Sequence, residues 1–186
     1  MNNNPFTRTA MQFGAYGGLS KFVFFLLLYF VNVNPLGNWA TLGYVLTILF
    51  IVLGTRFHRD KDLGTYITYG RALGIGFAIS TFISLLYSFM VYIFGMIIDP
   101  SILDAYKKES LKALDEASKM LQSETLQANM DQVVQQMEKL SMTDIAQSVF
   151  LNGIFSGLFT ALIVALIFKR NRPFFDDTNI TSNESN

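Results

Sequence analysis

A single imidazole, no thiol and one lysine set among apolar residues are nearly all the reactive groups this chain could bring together. His58 is the sole histidine and cysteine is absent. A His- or Cys-based metal cluster, a Ser-His-Asp triad and a thiol nucleophile are therefore out of reach within one chain. The long apolar stretches hold serine and threonine but neither Asp nor Glu. A hydroxyl without a convergent base has nothing to activate it, and the carboxylates with which proton and cation carriers line their spans are missing too. No catalytic residue, metal ligand or cofactor site is expected.

Lys21 is the one group that asks for more. It lies inside the first apolar run, residues 13–33, and a charge held near the bilayer centre costs about 2.5–3.5 kcal/mol, which marks it as a candidate functional charge. The competing reading is that its stem snorkels to the cytoplasmic interface. Lys21 sits roughly 12 Å along a helix from Phe13 at the usual rise per residue. That is long for a snorkel but manageable if the helix begins nearer Gly17, so snorkelling is the expectation. Pairing with a polar group such as Asn152 is the alternative.

What must position such groups is a membrane bundle. Hydrophobic residues make up 51% of the chain and charged residues only 15%, against about a quarter in an average soluble domain. The apolar residues fall in four blocks, 13–33, 39–55, 72–98 and 149–168, each near the ~20 residues that cross a bilayer core. No small-residue cleavage site follows the first block, so it is read as a retained span. The uncharged stretch 32–38, with Pro35 and Gly37, is a turn, and Trp39 suits an interface. Small residues recur at four-residue spacing: Gly14/Gly18, Gly70/Gly74, Gly153/Gly157 and the stripe Gly76, Ser80, Ser84, Ser88. Such spacing lets helix backbones approach closely, with the hydroxyls satisfied on their own helix. Asn152, Ser156 and Thr160 are expected to face other helices.

Charge distribution sets the sidedness. The formal net charge is zero, so there is no global basic field for nucleic acid. The island 56–71 carries Arg56, Arg59, Lys61 and Arg71, and Lys169, Arg170 and Arg172 follow the last block. Short Lys/Arg-rich loops stay in the cytoplasm. Segments 1–12, 56–71 and 169–186 are accordingly placed inside, and the cations are also candidates for anionic lipid headgroups at about 1 kcal/mol each. The sequons at Asn179 and Asn183 are discounted, because the tail that bears them belongs inside.

Segment 99–145 belongs outside. Asp99-Pro100 ends the third span, and Ser101 to Asp104 and Ser141 to Asp144 both fit the capping-box pattern. Leu111, Leu114 and Leu121 mark one apolar face, and Leu126, Met130, Val133, Met137 and Leu140 follow at heptad spacing. Residues 122–125 lack a seam residue and are read as a reversal. The segment holds nine carboxylates and five lysines, and Lys107, Lys108 and Lys112 dilute any carboxylate cage. The fold class expected is all-α: an integral membrane four-helix bundle with an extracytoplasmic acidic helical hairpin between spans three and four. One bent helix, or pairing with a second chain, stays open.

Gly43-Tyr44 opening the second span, Arg59-Asp60 in the island, then Gly64, Ile67, Tyr69-Gly70 and Ala72, and the Asp99-Pro100 exit together resemble a family. These are the four-span membrane proteins of Bacteroidota catalogued as a domain of unknown function, number 4199. The resemblance covers about 13–170. It implies a bacterial inner-membrane location and carries over no catalytic residue. The functional expectation is a non-enzymatic structural or accessory protein, bound in the lipid bilayer, whose hairpin meets a membrane or periplasmic protein or a second copy of itself. A small transporter or channel component is the alternative.

Overall fold

In the computed structural model the described residues are 4–121 and 130–170. Among them every regular element is a helix, apart from a single antiparallel bridge between Ile67 and Arg170. Helix α1 spans Pro5–Phe30, well before the apolar run begins. Its start is fixed by local chemistry: the Asn4 side chain accepts from the Phe6 amide at 3.1 Å, and Pro5 occupies the first helical position, where its missing N–H costs nothing. Asn32, in the left-handed region at φ 58°, ends it. Its amide donates to the Tyr29 carbonyl, and the Val33 amide to the Leu28 carbonyl. That is the Schellman closure of a helix.

A 3₁₀ turn over Asn38–Leu42 leads into α2, Gly43–Phe57, which runs on through a wider π turn, His58–Asp62. The island read as a loop over 56–71 is therefore helical as far as Asp62. Only 63–68 separates it from the next helix, reversing at Gly64 and Thr65, both with positive φ. Helix α3 is Tyr69–Ile93 with a π turn over Phe94–Ile98. Helix α4 follows as Ser101–Leu121, then α5 as Met130–Lys139 and α6 as Met142–Phe168. The capping box at Ser141/Asp144 is present in full. At α4 the capping group differs from the expectation: Asp99 accepts from the Ser101 amide and hydroxyl, so Ser101 begins the helix instead of capping it.

Four helical stretches, Pro5–Phe30, Asn38–Asp62, Tyr69–Ile98 and Met142–Phe168, are long and apolar enough to cross a membrane. Helix α3 is the centre of the bundle and touches α1, α2 and α6. It buries Ile75, Ile79, Ile83 and Val91 completely. The outer faces stay apolar: Val23, Leu27 and Phe30 on α1, Val45 and Leu49 on α2, Phe155, Phe159 and Ile163 on α6 are all exposed. A belt of that extent is costly in water and natural in lipid. This is the architecture of a membrane protein.

The close approaches are made by glycine. Gly14, Gly17 and Gly18 of α1 lie against Phe82, Ile83 and Leu86 of α3, and Gly153 and Gly157 of α6 lie against Ser84 and Ser80. Ser80, Ser84 and Ser88 donate to carbonyls of their own helix at 2.8–3.1 Å. Two expectations are corrected. Nothing lies within 4 Å of a Cβ at Gly70, and only the Phe6 ring of α1 approaches Gly74, at 3.7 Å, so that pair makes no close approach of helix backbones. Asn152 is exposed, while Ser156 and Thr160 are half-buried beside the contact face and bond back to their own helix. The α6 face that meets α3 is Gly153, Gly157 and Ala161, one residue further round the helix.

Candidate functional site

Lys21 does not reach for the interface at the N-terminal end of α1. It is 6% exposed, and its Nζ lies 4.4 Å from the centroid of the Tyr44 ring and 4.6 Å from that of Tyr87. Two aromatic faces thus hold the ammonium by the attraction of their quadrupoles. The Lys21 stem runs beside Gly43, where a Cβ would meet its Cε in ordinary contact at 3.4 Å. The ammonium lines a cavity of about 180 Å³ at the end of the bundle where α4 begins. Pro35, Leu36 and Gly37 of the α1–α2 turn and Tyr106 of α4 form its roof, and Thr41, Ser148 and Asn152, all exposed, stand at its mouth. Asn152 shares the cavity with Lys21, but among the described residues no side chain or carbonyl hydrogen-bonds the ammonium.

The roof is tied down by α4. Glu109 accepts from the Asn34 side-chain amide at 2.7 Å and from the Asn38 backbone amide at 3.4 Å. Asp99 accepts from the Tyr29 hydroxyl at 2.9 Å. The Ser101 hydroxyl first, then Tyr29 and the Ser101 amide, hold the Asp99 carboxyl below the usual carboxylate range. Ile102 is buried with Phe25, Tyr87, Val91, Phe94, Met142 and Ile145, and Tyr106 packs against that cluster. The base of segment 99–145 is therefore part of the bundle, which the apolar spacing of its distal half did not signal.

Beyond that base, Lys107 donates to the Glu138 carbonyl at 2.9 Å, so α4 and α5 touch. Between them and the α1–α2 turn runs a groove of about 540 Å³ whose walls include Ala113, Leu114, Ala117, Val133 and Met137. Val133, Met137, Leu140, Leu111 and Leu114 are half-buried. Leu126 and the reversal at 122–125 lie outside the described residues, as do the side chains of Met130 and Leu121. An exposed pair of opposite charges, Lys119 and Asp115 at 2.6 Å, lies on α4 and raises the lysine's pKa.

The arginine-rich end carries a second buried polar cluster. Asp62 accepts from the Thr9 hydroxyl at 3.0 Å and lies 2.8 Å from the His58 Nδ1. A carboxylate only accepts, so the imidazole bears its proton on Nδ1. Arg8 adds a contact at 3.5 Å, and the Phe6 ring stands edge-on to His58. The carboxylate is the middle member, so the hydroxyl does not meet the imidazole, and the order needed to activate a nucleophile is not made. Arg59 pairs with Asp60 at 2.7 Å and stacks over Phe168; Arg56 reaches the same Asp60 at 3.6 Å. Lys61, Arg71, Lys169 and Arg170 are exposed, and Arg172 and both sequons lie outside the described residues. Among the described residues no group of three His, Cys, Asp or Glu is placed to hold a metal ion. The spacing of His58 and Asp62, four apart on one helix face, was the available signal for this cluster; Thr9 carried none.

Residues 12–170 match a family model described as "Protein of unknown function (DUF4199)". No curated protein and no solved structure matches the chain.

Proposed function

The chain belongs to the DUF4199 family of proteins of unknown function, and on that premise we propose that it is a non-enzymatic accessory protein of a bacterial inner membrane, of the Bacteroidota kind the resemblance implies. Its α4–α5 segment forms a hairpin on the extracytoplasmic side and takes a protein partner there. One observation carries the reading: the groove between α4 and α5 presents Ala113, Leu114, Val133 and Met137 along two amphipathic helices. Apolar side chains in such a position gain about 25 cal/mol per Å² when a partner covers them. A photo-crosslinking residue at Ala113 in native membranes is expected to capture a discrete protein, and Leu114→Lys is expected to abolish that adduct. Adducts unchanged by Leu114→Lys would defeat the reading, and an adduct of doubled chain mass would identify the partner as a second copy.

Sidedness rests on the gathering of Arg8, Arg56, Arg59, Lys61, Arg71, Lys169 and Arg170 at one end of the four spans. Both termini and the 63–68 turn are then cytoplasmic. With no native cysteine, Thr68→Cys is expected to resist an impermeant thiol reagent in intact spheroplasts and Lys119→Cys to react. The reverse pattern would invert the arrangement.

The alternative, a small transporter or channel component, has the Lys21 cavity in its favour. Against it, Ile51, Ile75, Ile79 and Ile83, all fully buried, fill the interior between that cavity and the Asp62 cluster.

A further inference from the structure

We propose that the Lys21 cavity binds a singly charged oxyanion on an apolar body, a carboxylate or a phosphodiester, entering from the bilayer edge between α2 and α6. The inference is independent of any role for α4 and α5 in holding a protein.

The argument begins with an uncompensated charge. An ammonium has three donors. Tyr44 and Tyr87 offer ring faces to Lys21, but among the described residues no carboxylate lies within ion-pair distance of it. Acids on the surrounding elements are committed elsewhere: Asp99 to Tyr29 and Ser101, Glu109 to Asn34 and Asn38, Asp144 to Ser141. A side chain 6% exposed and charged is costly unless something pairs with it.

The cavity supplies the rest of a site. Its volume, about 180 Å³, is many times the ~10–15 Å³ one water needs. Ser148 and Asn152, one turn apart on α6, bring a hydroxyl and a carboxamide to the mouth. They are exposed between polar Gln147, Thr143 and Asp144 toward the start of the helix and apolar Leu151 and Phe155 further along it, the border of the lipid-facing belt, where a headgroup would enter. Leu36, Ile145 and Val149 give an apolar wall for the body that carries the charge. One lysine balances one negative charge, whereas a dianion would leave an unpaired charge in a medium of low dielectric. The compact ammonium, without an arginine fork or a row of backbone amides, also suits a monoanion better than a phosphate monoester.

The test uses the full chain in a non-ionic detergent, its melting temperature followed against two probes at constant ionic strength. Butyrate represents a free carboxylate, and dihexanoyl phosphatidylglycerol a lipid phosphodiester; butyramide and dihexanoylglycerol are their neutral counterparts. A saturable rise with butyrate alone assigns a soluble carboxylate. A rise with the phospholipid, alone or with butyrate, assigns a headgroup. Lys21→Met is expected to weaken the response at least tenfold. Ser148→Phe, at an exposed position that blocks the mouth and keeps the lysine, is expected to do the same and decides the matter if Lys21→Met does not fold. No rise with either anion, an equal rise with the neutral probes, or an undiminished response in Ser148→Phe or in folded Lys21→Met overturns the proposal.

Discussion

Gly157→Val should remove most of the folded, monodisperse protein from detergent, while Gly70→Ala should leave it intact or slightly more stable. A Cβ at Gly157 would fall on the Cβ and hydroxyl of Ser80, and one at Gly153 on Ser84. Neither neighbour can yield, because a serine Cβ is rooted directly on the α3 backbone. The two helices would have to part. Separation would open the contacts of Ala161, Val164 and Ala165, which are buried at this seam, and dispersion falls off within a fraction of an ångström of lost contact. Overpacking typically costs about 1–3 kcal/mol, and the lost neighbours push this case to the upper end. In lipid no hydrophobic driving force holds the helices together in compensation. At Gly70 there is nothing within 4 Å, and alanine exceeds glycine in helix propensity by up to about 1 kcal/mol. Unfolding midpoints in a mixed-detergent titration distinguish the two variants. A Gly157→Val protein as stable as the parent would show that α3 and α6 do not meet as closely as described.

That contrast also shows what could be read from the residues. Four-residue spacing named Gly14/Gly18, Gly70/Gly74 and Gly153/Gly157 alike, yet a period does not say which helix face has a neighbour. The same limit applies to α6. Asn152, Ser156 and Thr160 share a face, and polar groups were expected to turn inward, but hydroxyls that bond their own carbonyls have no need of a partner helix. The glycines, which permit closer packing, won that face. The spans themselves were plain, because block hydropathy is a long-range average. Their ends were less so: Asn4-Pro5 starts α1 through capping chemistry to which hydropathy is blind, and the charged residues Arg56 to Asp62 continue α2. Lys21 is visible as a charge, but its surroundings come from Tyr44 on α2 and Tyr87 on α3, one and two helices further along the chain. The role of Glu109 in tying α4 to the α1–α2 turn was likewise hidden, since its partners Asn34 and Asn38 lie some seventy positions earlier.

Asp62→Leu should be the most damaging change at the arginine-rich end, and Arg8→Ala among the mildest, although both remove the same ion pair. The Arg8 side chain is 60% exposed and its contact with Asp62 is 3.5 Å; such pairs contribute about 0–1 kcal/mol. The other two partners are buried. Thr9 is fully enclosed and His58 is 4% exposed, and both direct a hydrogen at Asp62. Leucine leaves each donor without an acceptor, at about 1–3 kcal/mol apiece. Asp62→Asn keeps an oxygen that can accept and should fall between the two. The cluster joins the first turn of α1 to the end of α2, so the loss should appear first as protease sensitivity near Thr9 and then as a lowered midpoint of unfolding. If Arg8→Ala lowered the midpoint as far as Asp62→Leu, the surface charge and not the buried acceptor would be what holds α1 there. If Asp62→Leu changed neither measurement, the three-way cluster would contribute nothing to the fold.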